Sequence, residues 1–197
     1  VGMSSAGTSE PEASAAFEAL LQKQQRTINC LSDPDRTTRR RALLKLRRAL
    51  LETKTPRTVL GRMYGVLEAR LLKLMSDPVE KCRELSIGLL SELLDAGVEN
   101  ASEFVPDVLT AVAARVGKVP FAEPAEEIRS HLLQLVEQLL KRPDCGAKVT
   151  EYMDELATIL ASAATDAFPD VKKQVAVCVM RACKLARPRL RTHLEPL

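Results

Sequence analysis

The stretch LMSDPVEKCRELSIGLLSELL, residues 74–94, decides the fold. It closes one apolar segment, turns at Asp77-Pro78 and opens a second apolar segment at helical spacing. With Asp77 as origin, a base follows at +6 (Arg83), then small or apolar residues at +9 (Ser86), +13 (Leu90) and +17 (Leu94). The same spacing from Asp33 meets Arg39, Ala42, Leu46 and Leu50. From Glu123 it meets Arg129, Leu132, Val136 and Leu140, and from Asp166 it meets Lys172, Val175, Val179 and Cys183. The origins lie 44, 46 and 43 residues apart. A motif that uses both charge signs at a near-constant period is an internal repeat, and the opening stretch is one unit of it.

Each origin follows its own apolar segment, at 17–31, 59–75, 104–116 and 152–163, so the unit is helix, turn, helix. Pro34 and Pro78 are expected at the first position of the second helix, where a missing N–H costs nothing. The preceding acids are expected to accept from the free N–H groups of that helix. Gly97 and the region of Pro143 end two of the second helices. The link at 117–124, GKVPFAEP, is longer and holds two prolines, so it should bulge. Composition agrees with helices throughout. Hydrophobic residues make up 46% but aromatics only 3%, with no Trp, so the core is Leu, Ala and Val. The expected class is all-α, with Gly61 and Gly65 permitting close helix packing.

A period in the forties carrying D-P-x-x-x-x-R resembles HEAT repeats. That resemblance implies an α-solenoid of about four repeats of paired antiparallel helices in a right-handed superhelical stack, the armadillo-like helical architecture. The repeats fall at about 15–53, 56–97, 102–142 and 148–187. Residues 1–14 then read as a tag scar (Val1-Gly2 before Met3) and an unstructured segment, and 188–197 as the start of a truncated fifth repeat. The order and spacing of RRRALLKLRRALLE (39–52), LLKLMSDPVEKCRELSIGLL (71–90) and DAFPDVKKQVAV (166–177) resemble the N-terminal region of the HEAT-repeat dynein axonemal assembly factor family. This resemblance implies a cytoplasmic, non-catalytic scaffold for pre-assembly of the dynein arms of motile cilia. Its partners would be dynein arm subunits, chaperones or other assembly factors.

In such a stack the +9, +13 and +17 positions are buried, because one unit cannot cover that face alone. The signature residues Asp33, Arg39, Asp77, Arg83, Glu123, Arg129, Asp166 and Lys172 are expected to hydrogen-bond between successive units. The opposite face of the second helices is the candidate protein-binding surface, carried by Arg40, Arg41, Arg47, Arg48, Glu84 and Glu92. Between Arg36 and Arg48 seven bases occur without one acid, in a chain of net charge +3. That run forgoes the i,i+4 pairs that offset self-repulsion, and its arginines suit bidentate contact with carboxylates. It also reads as a solvated helix face, and the sequence leaves both readings open.

Residues for catalysis are scarce. His131 stands alone on its helix, and His193 has no expected partner. Cys178 and Cys183 point to different sides of one helix and cannot share a metal, while Cys82 falls on the packing side. No Gly-rich phosphate loop or acidic ligand cluster occurs, so no enzyme, cofactor or metal is expected. Five scattered Cys fit reduced thiols, and no apolar run is long enough to span a bilayer. Nucleic acid ranks below protein as a partner, since the basic band covers one unit and aromatic platforms are few. The repeat also suits a transport or scaffold solenoid of the importin kind or, ranking lower, a nucleic-acid-binding helical repeat.

Overall fold

The computed structural model describes residues 10–53 and 55–194, with side chains through residue 186. Nine α-helices and no strand occur among the described residues. They are α1 (Glu10–Asn29), α2 (Arg36–Leu51), α3 (Arg57–Leu74), α4 (Glu80–Asp95), α5 (Val105–Val116), α6 (Glu126–Lys141), α7 (Gly146–Glu151), α8 (Met153–Ala163) and α9 (Pro169–Leu194). Two 3-10 turns, Cys30–Ser32 and Ala101–Phe104, flank α1 and α5.

The helices pack in two rows. In one, α1, α3, α5 and α8 each touch the next; in the other, α2, α4, α6 and α9 do the same. Contacts between α1 and α2, α3 and α4, α5 and α6, and α8 and α9 tie the rows together. One continuous apolar core runs between them, from Ile28 and Leu31 through Leu67, Leu90 and Val136 to Ile159 and Cys178. Apolar side chains at i, i+3 and i+4 give every long helix a face for this core. Within it Tyr64 and Phe104 form an aromatic pair, their ring centroids 4.1 Å apart.

All four second helices begin three residues after the acid of the repeat, at Arg36, Glu80, Glu126 and Pro169. Pro34 and Pro78, expected at the first helical position, therefore sit in the link, two residues before the helix begins. The acids close that link instead of capping the helix. Asp33, Asp77, Glu123 and Asp166 accept from the N–H of Asp35, Val79, Ala125 and Phe168, at 2.8–3.1 Å. The cap of α2 is Asp35, which accepts from the Thr38 N–H. The turn closed by the acid, common to all four units, holds the link out of the helix, and in the first three the arginine of the repeat also takes the link carbonyls.

Other boundaries also move. α1 begins at Glu10, inside the segment expected to be unstructured, and Ala13 is buried. Glu10 and Glu12 suit the first turn of a helix, and Glu10 pairs with Arg62 of α3. Residues 1–9 lie outside the described residues. α9 continues to Leu194, so no turn opens a fifth repeat at 188; the region has Pro188 but no Asp-Pro or Gly link. The short α7 was not expected. Gly97 does end α4, at φ 79°, with its N–H donating to the Leu94 carbonyl. The 117–124 link is pinned, since the Glu123 N–H donates to the Arg115 carbonyl. Gly61 lies against the Glu99 backbone, whereas Gly65 faces open space.

Val179 and Cys183 depart from the expected burial. They are exposed, although their counterparts Leu46, Leu50, Leu90, Leu94, Val136 and Leu140 are buried. α9 packs on α6, α8 and the short α7, and no described helix covers the side that Val179 and Cys183 face. That leaves an apolar groove floored by Leu156, Leu160 and Val175.

Candidate functional site

The arginines at +6 fix how successive pairs sit. Arg39 donates through Nε and Nη2 to Asp77, Arg83 likewise to Glu123, and Arg129 to Asp166, at 2.6–3.1 Å. In each case Nη1 turns back to two carbonyls of its own link, those of Asp33 and Pro34, Asp77 and Pro78, or Glu123 and Pro124. One planar guanidinium thus joins its own link to the acid of the next pair, which lysine cannot do bidentately. We call each such arrangement a rung. Arg115 of α5 adds a second partner for Glu123 at 2.8 Å. Phe121 and Phe168 lie near the Arg129 guanidinium, 5.1 and 5.5 Å from ring centroid to carbon. At the two ends the Asp33 carboxylate receives no arginine among the described residues, and Lys172 is exposed.

Burial alone would push the Glu123 carboxyl up, but hydrogen bonds from Arg83, Arg115 and the Ala125 N–H outweigh it and leave it below the usual range. Asp166 is likewise held low, with Arg129 and the Phe168 N–H offsetting burial. These rungs are structural and leave the outward face of the α2–α4–α6–α9 row free for other work.

That face carries a groove of about 300 Å³ across α2, α4 and α6, lined by Arg47, Glu84, Gly88, Glu92, His131 and Gln134, among others. No side chain lies within reach of a Cβ at Gly88, so glycine there keeps the groove open. A second hollow of about 340 Å³ continues from His131 to Phe168 and Asp170. Polar contacts brace the groove: Ser91 donates to Gln138, which donates to Asp95. Gln174 and Arg181 of α9 donate to Glu137, whose carboxyl burial raises but these contacts and Lys141 hold low.

The structure divides the six predicted binding residues. Arg47 and Glu92 meet at 2.7 Å and neutralise each other across α2 and α4, while Lys81 donates to Glu84. Arg40, Arg41 and Arg48 are exposed. Along α2, Arg36, Arg40 and Arg47 share the stripe beside the groove, whereas Arg41, Lys45 and Arg48 form another stripe. Sequence reasoning missed Arg115 and Arg142. Arg142 donates to the Leu94 and Val98 carbonyls, joining the end of α6 to the turn after α4. Its position just past a helix of the repeat was the available signal.

The remaining chemistry-bearing groups are quiet. Cys82, Cys145 and Cys178 are buried, and burial pushes the Cys145 and Cys178 thiols up to about 11 and about 12. Among the described residues no group of three or more His, Cys, Asp or Glu is placed to hold a metal ion. No helix of the described residues is long and apolar enough to cross a membrane.

The profile of a family described as "Dynein axonemal assembly factor 5-like, TPR repeats" matches residues 30–196. Dynein axonemal assembly factor 5 of Xenopus laevis is 35% identical over 153 residues, covering 78% of this chain and 18% of that protein. The Homo sapiens protein of the same name is 34% identical over 167 residues (81% and 19%), and the Mus musculus protein 33% over 187 residues (89% and 21%). The chain thus spans about a fifth of the length of these relatives. With most of its length matched by the family profile, the chain belongs to the dynein axonemal assembly factor 5-like family.

Proposed function

We propose that this chain is a non-catalytic adaptor in the cytoplasmic pre-assembly of axonemal dynein arms for motile cilia. The observation that carries the reading is its membership of a family whose relatives bear the name dynein axonemal assembly factor 5. Its partners in this reading are dynein arm subunits, chaperones and other assembly factors. The architecture is a right-handed HEAT α-solenoid with repeats at about 15–53, 56–97, 102–142 and 148–187. The family description speaks of TPR repeats, but those recur at about 34 residues, and origins 44, 46 and 43 residues apart favour the HEAT reading.

The docking surface in this reading is the concave face, made by the outward side of α2, α4, α6 and α9. Arg47, Glu84 and Glu92 offer both charge signs around an open floor at Gly88, and Arg40 extends the stripe of Arg47 along α2. An extended segment with mixed charge fits it better than a uniform polyanion. The test is affinity capture from the cytosol of cells building motile cilia, comparing the chain with R40E/R47E, both checked for helicity. Retention of dynein arm subunits by the chain and their loss from the variant is expected. Equal retention by both moves the contact off this face. Retention by neither contradicts an adaptor role for this part of the family protein.

A further inference from the structure

The second basic stripe of α2 has no place in that face. Arg41 and Lys45 instead border a groove of about 250 Å³ between α1 and α2, together with Arg26, Cys30, Thr38 and Ala42. No residue of α3 or α4 lines it, so it opens on the side of the first pair that no other described helix covers. Three cations from two helices converge there, and no acid lines the groove.

The nearby acids are otherwise placed or engaged. Asp35 accepts from both the N–H and the hydroxyl of Thr38. Glu18, the nearest acid on α1, lies more than two turns before Arg26. Arg26, Arg41 and Lys45 make no ion pair among the described residues, unlike Arg47 on the other stripe. Arg48 extends the same stripe along α2. Exposed like-charged residues on one helix repel each other, and an external anion relieves that repulsion.

We propose that this groove binds an acidic polypeptide segment, with Arg26, Arg41 and Lys45 taking its carboxylates and an apolar side chain of the segment seating on Ala42 and Cys30. The apolar floor is what favours a polypeptide over nucleic acid. Aspartate and glutamate interspersed with leucine satisfy both the floor and the rim. No aromatic lines the groove to stack a base, and the cations form a cluster on one pair rather than a track. Residues 1–9, VGMSSAGTS, hold no carboxylate side chain and so do not supply the occupant's chemistry. The site is separate from the concave face and does not depend on the dynein reading.

The test uses fluorescence anisotropy of the whole chain with a labelled glutamate-rich peptide carrying a central leucine. Controls are the same peptide with glutamine for glutamate, and labelled single-stranded RNA. Binding of the acidic peptide is expected to weaken with salt, to fall roughly tenfold in R41E/K45E, and to be unaffected by K118E, an exposed cation in the 117–124 link. Because these side chains are exposed, the variants should keep their helicity. A second readout locates the peptide: it should slow alkylation of Cys30 while leaving exposed Cys183 unaffected. Equal binding of the glutamine peptide, unchanged binding in R41E/K45E, or no protection of Cys30 overturns the proposal. Tighter binding of RNA than of the acidic peptide overturns it in favour of nucleic acid.

Discussion

Arg129 shows how much one side chain does in this chain. It holds Asp166 through two hydrogen bonds, satisfies two carbonyls of its own link, and lies beside two aromatic rings. Removing one partner of a buried ion pair strands the other, which costs about 3–5 kcal/mol, whereas removing both relieves the stranding. R129M should therefore lose about that much stability in urea unfolding, and R129M/D166L should lose less than the single variant. A loss of under about 1 kcal/mol in R129M would sink this account of the rung. Glu123 and Asp166, held below their usual range, contribute stability present above the ordinary carboxylate pKa and lost as pH falls through the folded values. Glu68 behaves in the opposite sense. Burial, then Asp107 and Glu103, push its carboxyl up to about 7, so its folded state favours the proton. Its contribution falls as pH rises from about 4.5 to about 7. E68Q should be the more stable protein at pH 8, by on the order of 1 kcal/mol after allowing for solvent screening, with the gap closing toward pH 5. An equal gap at both pH values would contradict this.

At the scale of the element, a Leu at +13 and a Val at +13 do different work according to what covers them. Leu90 is fully buried, so L90A should cost about 2–5 kcal/mol. Val179 is 42% exposed, so V179A should cost well under about 1 kcal/mol. Comparable losses in thermal or urea unfolding would mean that α9 is covered on its open side. The repeat spacing made Leu90 legible, because apolar residues at +9, +13 and +17 recur with both charge signs. It could not distinguish Val179, since exposure there depends on which helix lies alongside α9. The turns were half legible. Asp and Pro mark them, but the helix starts two residues later because the acid closes the turn by accepting from the N–H two residues on instead of capping the helix. The division of the Arg run was readable from helical spacing; its consequences were not. Arg47 meets Glu92 from a neighbouring helix 45 residues away, and Arg41 meets a groove wall built by α1.

At the scale of the molecule, the rungs make neighbouring pairs depend on one another. Stability in such a stack is close to a sum of terms within pairs and between neighbours. Cutting one interface term should uncouple the pair beyond it. The two proposed surfaces differ in this respect. The groove between α1 and α2 lies within one pair, whereas the proposed docking face needs α2, α4 and α6 held in register. Buried Arg–acid rungs would thus bind the four helix pairs into one cooperative body that presents these surfaces. Native-state hydrogen exchange on the chain and on R129M reads this coupling pair by pair. In the chain, core amides of α4, α6 and α9 should exchange with similar opening free energies. In R129M, α8 and α9 should open at distinctly lower free energy while α4 keeps most of its protection. If α9 keeps the protection of α4 in the variant, the rungs do not couple the pairs.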